Sequence, residues 1–125
     1  MYLNFTQEPM NSERRSDVIE GTYWDYYVTS DDIKVHLLLL DVRYNLEPEV
    51  DTLGESQWQW LETKLIESRD SDLVLLGSGI QFLNFDNFFL SEAWDPESRA
   101  RLLRMLIKHG IAQKTIFLSG DVHYS

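Results

Sequence analysis

The chain contains no cysteine among its 125 residues, so a disulfide framework and thiolate metal sites are both excluded. Any metal ion it holds must be bound by oxygen and imidazole nitrogen. Long apolar runs are equally scarce. The longest uninterrupted blocks, Leu37 to Leu40 and Leu73 to Leu76, are far short of the roughly 20 residues that a membrane helix needs, and no membrane span is expected. The amino-terminal stretch lacks the basic head, apolar stretch and small-residue cleavage site of a secretory signal. Basic residues are few: 11 against 21 acidic ones, for a formal charge of −10. Such a surface repels polyphosphate backbones and anionic membranes, which argues against nucleic acid as a partner. Internal repeats and low-complexity tracts are absent. So are the glycine-rich loops, G-x-G-x-x-G or G-x-x-x-x-G-K, of a nucleotide-binding α/β domain.

What remains is ordinary globular material, 43% hydrophobic and 13% aromatic, with length for one domain, residues 1–125. Three apolar runs, Ile33 to Leu40, Asp72 to Leu76 and Thr115 to Leu118, read as strands covered on both faces. Between the first two, Trp58, Leu61 and Leu65 fall on one helical stripe, and Thr52 with Glu55 fits a capping box at its start. Between the second and third, Asp95 is placed to cap, and Pro96 suits the first helical position. Leu102, Met105 and Leu106 share a face there, and Gly110 suits a left-handed stop. Gly21 to Val28, rich in aromatic and β-branched residues, is placed to pair antiparallel with Ile33 to Leu40 through a turn at 29–32. The order strand, helix, strand, helix, strand predicts an α/β fold, a layered sheet flanked by helices with parallel pairing and right-handed crossovers.

Each of the three apolar strands runs into a polar cluster at its carboxyl end: Asp41 to Tyr44, Gly77 to Gln81, and Ser119 to His123. In open α/β sheets that edge opens into the ligand crevice. In an extended Gly120-Asp121-Val122-His123, Asp121 and His123 point to one side, so a carboxylate and an imidazole can reach one ion. A bare D-x-H is more often a turn with an exposed histidine. Arg43 has the planar fork of donors that reads a phosphate, or that forms a structural ion pair. Gln81 and Ser78 are candidates to orient a substrate, or simply turn formers. Trp94 is a candidate pocket wall. His36 reads as a satisfied core histidine, and His109 as a cation-compatible residue at a helix carboxyl end. The aromatic segment from Asn84 to Leu90 reads as a lid or as cover for a surface that further chain should bury.

The strings LSGDVHY, GSGIQ, EAWDPESRARLLRML, LLLLDVRY and LGESQWQWLE, in that spacing, resemble the carboxyl half of the catalytic domain of the alkaline phosphatase D (PhoD-like) family. That family belongs to the calcineurin-like metallophosphoesterases. Arg14-Arg15 followed by Gly21-Thr22-Tyr23 and Tyr26 resembles the same family's run before the first of these strands, so the resemblance spans nearly the whole chain. It implies an αββα sandwich and metal-dependent hydrolysis of small phosphate monoesters or diesters. The implied cofactors are calcium, iron, zinc or manganese ions, which lower the pKa of bound water and clamp the phosphoryl oxygens. It further implies that His123 is a metal ligand and that Asp121 is a ligand or its near neighbour. Of the superfamily's earlier ligand motifs, G-D-x-x-D and G-N-H-D do not occur here, and the one D-x-H, Asp121-Val122-His123, stands at the place of the last motif rather than upstream. The chain is therefore expected to be a partial domain, inactive alone, with a catalytically silent binding module as the alternative.

Overall fold

A computed structural model describes residues 7–15, 20–48, 50–83 and 93–120. The expected hairpin forms. β1 (Trp24–Ser30) runs antiparallel to β2 (Ile33–Leu40) from Trp24 opposite Leu39 to Ser30 opposite Ile33. Its two-residue turn is made possible by Asp31 at φ 52°, in the left-handed region that aspartate tolerates better than most residues. The chain then passes through α1 (Glu55–Glu67) to β3 (Leu73–Ser78), and through α2 (Pro96–Lys108) to β4 (Thr115–Ser119). β2, β3 and β4 are parallel neighbours, and the sheet order is β1-β2-β3-β4. The described residues are thus α/β, with a mixed four-stranded sheet and two α-helices.

Both helices lie on one face. Leu38, Val74 and Leu76 of the sheet share a buried cluster with Trp58, Leu61 and Leu65 of α1 and with Leu102, Met105 and Leu106 of α2. Both helical stripes thus face inward as their 3.6-residue spacing requires. α2 begins and ends as its sequence dictates. Asp95 accepts from the Ser98 N–H at 2.8 Å, Pro96 occupies the first turn, and Gly110 takes φ 70°.

Two expectations are corrected. The Thr52–Glu55 capping box is not formed: the cap of α1 is Gly54 at φ 77°, with no side-chain cap hydrogen bond. Thr52 is turned inward, fully buried, and its hydroxyl accepts from the Asp95 N–H at 3.3 Å. Asp51 organises the helix entrance instead. Its carboxylate accepts from Gly54 N–H at 3.0 Å, Trp58 Nε1–H at 2.8 Å and the Ser98 hydroxyl at 3.1 Å, joining the starts of both helices. Nor are the strands covered on both faces. The face away from the helices carries Tyr26 and Val28 of β1, Val35, Leu37 and Leu39 of β2, Leu73 and Leu75 of β3, and Ile116 and Leu118 of β4. It is open: Val28 is 55% exposed, Leu39 38% and Ile116 49%. A wholly apolar strand therefore means here a strand with one helix-covered face and one uncovered apolar face. The aromatic segment from Asn84 to Leu90 lies outside the described residues.

Candidate functional site

The parallel register sets the last residues of three strands side by side: Leu40 beside Ser78, and Ser78 beside Ser119. The loops that begin at Asp41, Gly79 and Gly120 therefore leave from one edge of the sheet, the edge at which α/β proteins gather ligands. An open depression of about 450 Å³ lies there, lined by Thr22, Leu40, Asp41, Arg43, Tyr44 and Gly79 among others. Asp121 and His123 follow Gly120 in the chain and lie outside the described residues.

Asp41 builds the wall of this depression. One carboxylate oxygen accepts the N–H groups of Arg43 and Tyr44, at 3.0 and 2.9 Å. The other accepts the N–H and the hydroxyl of Thr22, both at 2.8 Å, tying the entry of β1 to the exit of β2. Gly21, at φ 122°, wraps so closely that an added Cβ would stand 3.1 Å from that second oxygen. Partial burial pushes the Asp41 pKa up, but the donors from Tyr44, Arg43 and Thr22 outweigh it and hold the carboxyl below its ordinary value. The backbone of Asp41 is fixed as well. Its N–H donates to Gln57 Oε1 at 2.9 Å and its carbonyl accepts from Gln57 Nε2 at 2.7 Å, so a buried α1 side chain stands in for the next strand residue. With four donors upon it, this carboxylate is an anchor rather than an open ligand or base.

Arg43 is exposed on the wall of the depression, where the fixed turn presents it. Gln81 and Trp94 are placed differently. Gln81 is half-buried beyond Gly79 and Ile80, in a parallel bridge with Ala93, and its carbonyl accepts the Trp94 N–H at 3.3 Å. Trp94 is 2% exposed and packs edge-on against Phe82 and Trp58, with ring centroids 5.1 and 6.3 Å away. Its indole N–H donates to the Ser78 hydroxyl at 2.9 Å, and that hydroxyl donates to the Ile80 carbonyl at 2.8 Å. Trp94 and Ser78 thus lock the turn after β3 from inside the core, and neither Trp94 nor Gln81 lines the depression. The edge brings Arg43 to the cleft and sets Gln81 and Trp94 behind it. The metal implied by the resemblance does not fit the described residues alone: no three histidine or acidic side chains among them come together, and Asp41 is saturated.

No family model, no curated protein and no solved structure matches this chain.

A second polar cluster was not foreseen. His36, fully buried on the helix-covered face of β2, has Nε2 at 2.9 Å from Asp25 Oδ2 and Nδ1 at 2.7 Å from the Ser68 hydroxyl. Tyr27 stacks on its ring at 4.0 Å, and Lys64 sits 3.4 Å from the other Asp25 oxygen. Burial lowers the His36 pKa, against the opposing pull of Asp25. The neutral ring then keeps its proton on Nε2, toward the carboxylate, and accepts at Nδ1. Serine, histidine and aspartate are the groups of nucleophilic hydrolysis, but Ser68 is fully buried and its one hydroxyl proton is shared between His36 Nδ1 and the Lys64 carbonyl, each 2.7 Å from the oxygen. The cluster is a clasp between the hairpin and the end of α1. The sequence carried one signal for it, the apolar surroundings of His36, which demand partners. His109 closes α2 as expected, with Nε2 3.1 Å from Glu62 and Nδ1 3.2 Å from Arg69.

Proposed function

We propose that the chain is the carboxyl portion of a PhoD-like metallophosphoesterase domain, whose intact form hydrolyses small phosphate monoesters or diesters. In this reading Asp121 and His123 hold a divalent or trivalent metal ion, Arg43 binds a phosphate oxygen, and Gln81 and Trp94 act from behind the cleft by holding the turn after β3. The observation that carries it is the alignment of three parallel strand ends, Leu40, Ser78 and Ser119, with Arg43 in the depression beside them. A guanidinium there is suited to bidentate contact with phosphate. The residue string Gly120-Asp121-Val122-His123, which resembles the family's last ligand motif, continues directly from that edge.

The test is hydrolysis of p-nitrophenyl phosphate with added divalent metal. The 125-residue chain is expected to show negligible turnover. A longer polypeptide that carries further ligand motifs should turn over in a metal-dependent way that His123→Ala abolishes. Robust turnover by the short chain, lost in His123→Ala, would overturn the partial-domain reading. A longer polypeptide with no metal-dependent turnover would overturn the phosphoesterase reading itself. The uncovered apolar sheet face favours a second reading, a catalytically silent interaction module, because contiguous exposed apolar surface marks association sites.

A further inference from the structure

We propose that the Asp25–His36–Ser68 clasp is a proton-operated latch: His36 takes up a second ring proton in place, the Ser68 hydrogen bond reverses, and β1 stays fastened to the end of α1 in both states. The ring is fully buried, with Nε2 2.9 Å from Asp25 Oδ2 and Nδ1 2.7 Å from the Ser68 hydroxyl oxygen. A carboxylate only accepts, so Nε2 keeps its proton in either state. Nδ1 can exchange roles because its partner can. The Ser68 oxygen lies 2.7 Å from the Lys64 carbonyl as well as from Nδ1, and a hydroxyl both donates and accepts. Beside the neutral ring the hydroxyl donates to Nδ1. Beside the imidazolium, Nδ1–H donates to the hydroxyl oxygen, and the hydroxyl proton turns to the Lys64 carbonyl. The added proton comes from water, one N–H bond forms, and no heavy atom has to move.

The surrounding charges leave a place for the cation. The ring faces Asp25 and Tyr27 from β1, Lys64 and Glu67 from α1, and the Ser68 hydroxyl from the turn Ser68–Asp70; its β3 neighbour Val74 does not titrate. Behind Tyr27, Lys34 Nζ lies 4.7 Å from the ring centroid, and Asp70 is within electrostatic reach of the phenol. Lys64 sits 3.4 Å from Asp25 Oδ1 and 3.0 Å from Glu67 Oε2, so one ammonium serves two carboxylates. With a neutral ring this group of three is short of one positive charge, and the imidazolium supplies it. Burial opposes the charged ring and sets the uptake below the ordinary histidine range. A buried histidine with an acceptor at one nitrogen alone would have to open its clasp to satisfy the other N–H. Ser68 removes that need, and β1, an edge strand paired only with β2, keeps its tie to α1 in mild acid.

Proton–nitrogen NMR of the His36 ring in the unaltered chain, titrated downward from about pH 8, provides the test. Above neutrality Nε2 should carry the only ring proton. Nδ1 should gain its own with a midpoint below about 6.5, while the β1 amides bonded to β2 stay protected from exchange and the circular dichroism spectrum is unchanged. Ser68→Ala leaves the imidazolium N–H without its acceptor. Because a hydrogen bond to a charged group contributes about twice a neutral one, proton affinity at His36 should drop about tenfold, moving the midpoint down by about one pH unit. Ser68→Thr, which retains the hydroxyl, should restore it. Gain of the Nδ1 proton only as the native spectrum is lost overturns the proposal, as does loss of β1 protection in step with protonation. A Ser68→Ala midpoint equal to or above that of the unaltered chain overturns it too. Should Ser68→Ala not fold, the titration of the unaltered chain decides alone.

Discussion

Replacing Asp41 by alanine removes one acceptor group from four donors at once: Thr22 N–H, Thr22 hydroxyl, Arg43 N–H and Tyr44 N–H. A net hydrogen bond contributes about 1 kcal/mol, and bonds to a charged acceptor about twice that. The site is only partly buried, so water can take over part of the released donors, and the loss should settle near 2–3 kcal/mol rather than the full sum. For a chain of this length, at about 4 °C per kcal/mol, the thermal midpoint should fall by about 10 °C. Asp41→Asn retains one acceptor oxygen and should lose about half as much. The pH dependence carries a sign. The folded pKa of Asp41 lies below its unfolded value, so its stabilisation is fully present above the unfolded value of about 3.9 and disappears as pH falls through the folded one. In a proton–nitrogen NMR titration, the amides of Thr22, Arg43 and Tyr44 should move together with one midpoint below about 3.9. Separate midpoints, or Asp41→Ala within about 0.5 kcal/mol of the parent protein, would refute the anchor.

Gly54→Ala should destabilise the fold by at least about 1 kcal/mol in urea denaturation, because the position has φ 77° and an added Cβ would stand 2.8 Å from Asn45 Cβ. His36 has a folded pKa lowered by burial, so the unfolded chain takes up its proton first and stability should fall as pH drops below about 6.5. The groups facing the ring are Asp25, Lys64, Glu67, Tyr27 and Ser68. His36→Leu should lower the urea midpoint at pH 7.5 and flatten its dependence between pH 7 and 5; an unflattened profile would point to another titrating group.

Local signals told the most. Asp95, Pro96 and Gly110 act within a few residues of themselves, and α2 starts and stops where they stand. The hairpin and the two buried helical stripes follow from periodicity in the same way. Thr52 misled because its hydroxyl meets Asp95, 43 residues along the chain, and no local pattern reveals that partner. Trp94 looked like a cleft wall for the same reason: Phe82, Trp58 and Ser78 draw it into the core across a tertiary contact. Strand composition misled in another manner. An apolar run reports that both faces avoid water but not what covers each, so the open face became visible only with the sheet order. Of the cleft, the edge and Arg43 were legible from three apolar runs ending in polar clusters. The anchoring of Asp41 by Thr22 and Gln57 was not, since it joins three separated segments.

The central claim is that the loops leaving β2, β3 and β4 form one ion-binding edge. Manganese titration followed by paramagnetic broadening of backbone amides tests it most directly. Broadening should appear together at Asp41 to Tyr44, Gly79 to Gln81, and Ser119 to Gly120, and vanish in His123→Ala. Broadening confined to the carboxyl-terminal segment, or spread over acidic turns such as Asp31-Asp32 with no change in His123→Ala, would contradict it.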